Sequence, residues 1–162
     1  MIQRIQSVFL FLVVIAGIIV FLFPIATYYS EDAFFKFFLC SVRDFAPDPF
    51  NEMASGGGQI NWLYPLGLAI LQSIIVLIAL VAIFKFKKRL LQIRLNYINV
   101  FLNVMLVGGI FYLSTMLEES LGVTARYGLG GIFPLISIIL LFLANIFIKK
   151  DENLVRSANR LR

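Results

Sequence analysis

WLYPLGLAILQSIIVLIALVAIF (Trp62–Phe84), KFKKRLLQIR (Lys85–Arg94) and LNYINVFLNVMLVGGIFYLSTML (Leu95–Leu117) follow one another in the middle of the chain. Neither apolar segment carries a charge. At about 1.5 Å per helical residue, each can cross the roughly 30 Å hydrocarbon core of a bilayer. A helical hairpin in water keeps a polar face toward solvent. Trp62–Phe84 has none, since Gln72 and Ser73 are almost its only polar side chains. The stretch reads as a membrane hairpin that turns through a basic junction.

The rest of the composition agrees. The 162 residues are 60% apolar and 14% charged, against about 45–50% and about 25% in soluble domains. Mean hydropathy is +0.93. There is one cysteine, Cys40, and no histidine. One cysteine forms no internal disulfide. A chain without histidine lacks the commonest metal ligand and general base. No cofactor or metal is expected, and the prior for an enzyme is low.

Outward from the hairpin, two more spans appear. Residues 8–26 form an uncharged run with Gly17 midway and Pro24 near its end. A cleaved signal peptide is the rival reading. Its apolar region would be about 7–15 residues and would end at small residues; this run is longer, and Phe23–Thr27 (FPIAT) is a poor cleavage site. Residues 127–148 form the last span, opening with YGLGG and containing Pro134. The four spans are therefore about 8–26, 62–84, 95–117 and 127–148. Residues 27–61 are a larger loop, 118–126 a short polar one, and 149–162 a polar tail. The expected fold is an all-α four-helix membrane bundle, a single integral membrane domain over 1–162.

The larger loop has two halves. Phe34, Phe35, Phe37, Phe38 and Phe45 make its first half aromatic, and Pro and Gly make its second half turn-like. The first half fits a short strand pair or an interfacial helix equally well. Its aromatics fit a partner patch or, preferably, anchorage among lipid headgroups. Tyr28, Tyr29, Trp62 and Tyr64 lie where an interfacial aromatic belt is expected.

Span three carries a polar stripe. Asn96, Asn99 and Asn103 recur at three and four residues, on one helix face. Asn145 is a similar amide in span four. An amide in hydrocarbon needs a partner. The preferred reading is packing between helices, at roughly 0.6–2 kcal/mol per bond; the sharper one is a lining for a substrate path.

Charge fixes the threading. The N-terminus, junction and tail hold eleven of the fourteen basic residues: Arg4, Lys85, Lys87, Lys88, Arg89, Arg94, Lys149, Lys150, Arg156, Arg160 and Arg162. They hold only two of the nine acids, Asp151 and Glu152. Basic loops stay cytoplasmic, so both termini are expected inside and the aromatic loop outside. The basic face is expected to meet membrane lipid. A polyanionic cytoplasmic partner, such as a ribosome or an acidic protein face, is the weaker reading; DNA is not expected.

Three segments carry a family resemblance: MIQRIQS (Met1–Ser7), KRLLQIRLN (Lys88–Asn96), and GIFPLIS (Gly131–Ser137) with LAN (Leu143–Asn145), KDENLVRS (Lys150–Ser157) and RLR (Arg160–Arg162). Together they resemble the bacterial four-span membrane proteins of domain of unknown function family 4293. Where that family often has an acid, this chain has Asn159. The resemblance implies a bacterial inner-membrane protein and no particular activity.

Three functions remain open. The first is a non-catalytic accessory or assembly subunit beside other integral membrane proteins, in protein export or envelope biogenesis. The second is a small oligomeric transporter or channel. Such paths usually use intramembrane ionisable residues, which the spans lack. The third is an enzyme at the lipid interface, for which Glu118, Glu119 and Arg126 are the only grouping.

Overall fold

The computed structural model describes residues 3–29, 34–44, 63–85 and 88–160. It is mostly helical with a small antiparallel sheet. In chain order the elements are α1 (Gln3–Leu22), β1 (Ala26–Tyr29), β2 (Phe34–Phe38), β3 (Ser41–Asp44), α2 (Leu63–Phe84), α3 (Arg89–Leu121), β4 (Ala125–Tyr127) and α4 (Leu129–Arg160). Each helix packs on two neighbours, closing a ring in the order α1, α2, α3, α4. Three helical stretches are long and apolar enough to cross a membrane: Pro65–Phe84, Arg89–Ser120 and Leu129–Asn153. Within α1 the apolar stretch is shorter, Gln6–Leu22. These helices mark a membrane protein.

The helix ends differ from the sequence expectation, for local reasons. The first helix stops at Leu22 instead of running to residue 26. Pro24 disfavours helical geometry at the residue before it, and the chain leaves as strand β1. The basic junction is not a long turn. Arg89 through Arg94 belong to α3, which is 33 residues long rather than spanning 95–117. Leu90, Leu91, Gln92 and Arg94 are all good helix formers, so nothing ends the helix there. At its other end α3 runs to Leu121, past the expected loop start at 118. Gly122 caps it with φ 67° and donates its N–H to the Glu118 carbonyl at 2.8 Å. This left-handed stop suits glycine. Helix α4 begins at Leu129 and continues through the tail to Arg160.

The sheet corrects the all-α expectation. Its strand order is β3-β2-β1-β4. The strand pair read from the aromatic loop is present as β2 and β3. Two further strands, β1 and β4, come from chain read as the end of one span and the polar loop before another. Ala26 faces Phe37 on one side and Tyr127 on the other. The sheet thus staples the end of α1 to the start of α4.

That staple relies on glycine. Gly130 N–H donates to the Pro24 carbonyl at 3.1 Å, and Gly128 N–H to the Ile25 carbonyl at 2.8 Å. These carbonyls satisfy N–H groups at the start of α4, which have no partner within the helix. A Cβ on Gly130 would fall 2.6 Å from the Phe23 carbonyl oxygen and 2.7 Å from that of Pro24.

The core has two parts. Beside the sheet, Tyr28, Phe37 and Leu39 pack on Leu106, Ile110, Leu113 and Leu117 of α3. Toward the opposite end, which holds the α2–α3 junction, Leu10, Val13, Ala79, Ala82, Leu141 and Ala144 form a second cluster. Tyr28 is fully buried and is not a belt residue. Tyr29 is exposed. The side chains of Trp62 and Tyr64 lie outside the described set.

Candidate functional site

The amides of α3 face inward. Gln92, Asn96, Asn99 and Asn103 are all buried, on one face that repeats every three or four residues. Asn96 Nδ2 donates to Asn145 Oδ1 of α4 at 3.0 Å. Asn99 Nδ2 donates to the Ile75 carbonyl of α2 at 3.2 Å. These two bonds tie α3 to both of its neighbours in the ring. Asn103 does something else: its Nδ2 donates to the Asn99 carbonyl of its own helix at 2.9 Å.

A matching bond ties α1 to α2. Gln72 Nε2 donates to the Gly17 carbonyl at 2.9 Å. A Cβ on Gly17 would lie 2.9 Å from that amide nitrogen and 2.7 Å from Val76 Cγ2. Glycine at 17 is what lets the helices come close enough for the bond.

The seam is not fully paired. Both polar atoms of Gln92, together with Asn96 Oδ1, Asn103 Oδ1 and Asn145 Nδ2, are buried without a hydrogen-bond partner. Such groups ordinarily hold water. Beyond Asn103 the same side of α3 buries Leu106, Ile110 and Leu113 before the next buried polar side chain, Ser114. The line of amides therefore begins at the junction end and stops part-way along the bundle.

At the junction end an ion pair joins α3 to α4. Arg89 Nη2 is 3.0 Å from Asp151 Oδ2, and Arg89 Nη1 is 3.7 Å from Glu152 Oε2. The Arg89 and Asp151 side chains are only 16% and 10% exposed. Arg89, expected on an open basic face, is instead engaged within the chain. Lys85, Lys88, Arg94, Lys149 and Lys150 are exposed. Lys149 Nζ donates to the Tyr97 hydroxyl at 2.8 Å and lies 5.3 Å from its ring centroid. Arg156 and Arg160 lie on the last turns of α4. Lys87 and Arg162 lie outside the described residues.

The loop aromatics divide between the two faces of the sheet. Phe37 is fully buried, and Phe35 packs against the same core. Their neighbours lie on the other face: Phe34 sits against Tyr29 at 4.8 Å, and the Arg43 guanidinium lies 5.6 Å over Phe38. Phe37 is therefore a core residue, not part of a surface patch. Phe45 lies outside the described residues. Behind the sheet, the Tyr28 hydroxyl donates to the Ser114 carbonyl at 3.4 Å. Burial pushes its phenol up to about 12. Glu118 is fixed as well, accepting the Ala125 N–H at 2.7 Å.

Sequence reasoning missed Gln92, Gln72 and the Arg89–Asp151 pair. Gln92 was findable, since it lies four residues before Asn96 and continues the stripe. Asp151 was findable too: with Glu152 it is the only acid in otherwise basic flanking segments. Among the described residues, no group of three or more Asp, Glu, Cys or His side chains is placed to hold a metal ion.

A family model described as domain of unknown function DUF4293 matches residues 2–161. No curated protein matches the chain. The match spans nearly the whole sequence and covers every helix, strand and amide described above, so the chain belongs to the DUF4293 family.

Proposed function

We propose that this protein is a non-catalytic integral membrane subunit that assists or assembles a larger membrane complex. It has four spans, with both termini in the cytoplasm and the sheet outside, and sits in a bacterial inner membrane. One observation carries the reading: three buried amides of the spans are turned inward and bond a neighbouring helix. Asn96, Asn99 and Gln72 each hold a neighbouring helix. This is the packing use of amides in hydrocarbon. The lopsided charge supports the threading. Helix α1, 20 residues and about 30 Å long, is held at one end by the sheet.

The test is purification from native membranes in mild detergent, through a tag on the C-terminal tail, with mass spectrometry of what accompanies it. The expected result is a stoichiometric set of integral membrane partners. A chain that comes alone contradicts the subunit reading.

A second reading, a small oligomeric transporter, draws on the unpaired atoms of Gln92, Asn96 and Asn103. On this reading these atoms line the start of a polar path at the junction end. The apolar block of Leu106, Ile110 and Leu113 speaks against a continuous path. Replacing Asn96, Asn99 and Asn103 together by Leu separates the two readings. Loss of flux in reconstituted vesicles, with the fold intact, favours transport. Lost stability or assembly alone favours the subunit.

A further inference from the structure

From the pairing of Lys149 with Tyr97 we infer a binding site for a phospholipid with an anionic headgroup, on the outer surface between α3 and α4 at their junction end. The pair bridges the two helices at 2.8 Å, yet both side chains are exposed, Tyr97 at 46%. The ammonium is the donor in that bond, so the Tyr97 hydroxyl keeps its own proton to give. Lys149 retains two further N–H donors. Arg94 stands one turn from Tyr97 on the same helix face and is exposed. The grouping has a phenolic donor and two cations. The acids nearest Lys149 in sequence, Asp151 and Glu152, are taken up by Arg89. A donor-rich, cationic grouping of this kind selects a phosphate oxygen.

The surroundings select a lipid over a soluble phosphate. From Tyr97 the exposed face of α3 continues as Phe101 and Met105. From Lys149 the exposed face of α4 runs back through Ile146 and Phe142. The donors thus cap the ends of two apolar ridges, with the headgroup at the cap and an acyl chain along the ridges. Charge attraction alone would give roughly 1 kcal/mol per cation, anywhere on the basic face. The Tyr97 hydroxyl makes the site particular. It does not depend on the subunit reading or on the direction of threading.

The test uses the full-length protein in detergent, titrated with phosphatidylglycerol or phosphatidylcholine and read by native mass spectrometry. Glycerol phosphate is the soluble competitor. The variants are Lys149→Gln, Tyr97→Phe and Lys85→Gln, all at exposed positions, with folding checked by thermal melts. The expected result is saturable binding of phosphatidylglycerol over phosphatidylcholine. Lys149→Gln should weaken it by more than about fivefold, beyond the general effect of one surface cation. Tyr97→Phe, which leaves the charge unchanged, should weaken it measurably, and Lys85→Gln should weaken it by no more than that general effect. Equal losses at Lys85 and Lys149, or an unchanged Tyr97→Phe, would overturn the site. Full displacement by glycerol phosphate would overturn its lipid character.

Discussion

Asn96 and Asn145 meet across the α3–α4 interface, amide to amide, at 3.0 Å, and both are buried. Each leaves a second polar atom without a partner. This bond joins the hairpin in the middle of the chain to its last helix, and it predicts a particular pattern of mutant behaviour. Asn96→Leu alone strands the Asn145 amide in apolar surroundings and should cost about 1–2 kcal/mol. Asn96→Leu with Asn145→Leu should recover part of that loss, since neither amide then remains to be satisfied. A double-mutant cycle on unfolding in detergent reads the coupling.

The glycines predict opposite effects from one substitution. Gly130→Ala drives a Cβ into backbone atoms of Phe23 and Pro24, at 2.6 and 2.7 Å. Backbone cannot swing aside as a side chain can, so about 1–3 kcal/mol should be lost. Gly67 and Gly108 meet nothing within 4 Å. Alanine at either should be neutral, or stabilising by up to about 1 kcal/mol from helix propensity. Thermal melts of the three single variants compare them directly.

Tyr28 predicts an alkaline limit to stability. Burial behind the sheet raises its phenol to about 12, from 10.0. In the unfolded chain the phenol loses its proton near pH 10, while the folded chain keeps it. The folded state therefore binds more protons between these values. The contribution is fully present below pH 10 and is lost as pH rises through about 12. Wild type should lose stability more steeply than Tyr28→Phe over that window. Tyrosinate absorbance should also show one late-titrating tyrosine that the variant lacks.

Composition and periodicity made the helices and the inward amides legible. The apolar runs were long enough to count, and Asn96, Asn99 and Asn103 repeat at helical spacing. What they could not show was pairing between distant segments. Strand β4 is three residues long, and its partner β1 lies about a hundred residues earlier; no local pattern in either announces the other. The same limit hid the buried role of Tyr28, whose place after an apolar span suggests a headgroup anchor. The junction misled for another reason. Five basic residues between apolar runs look like a loop, yet Arg89 finds Asp151 and the helix begins at once. Gln92, buried in that segment, was lost with it.

The proposed threading is the claim on which the functional reading hangs, and the chain carries its own probe. Cys40 is its only cysteine and is exposed in the turn between β2 and β3. The measurement is labelling by a membrane-impermeant maleimide, in cells whose outer membrane has been made permeable, with a Cys40→Ser variant as the blank. Labelling from outside the intact inner membrane is the predicted result, since the proposed threading, four spans with both termini inside, puts the sheet on the outer side. Labelling only after that membrane is broken would contradict it.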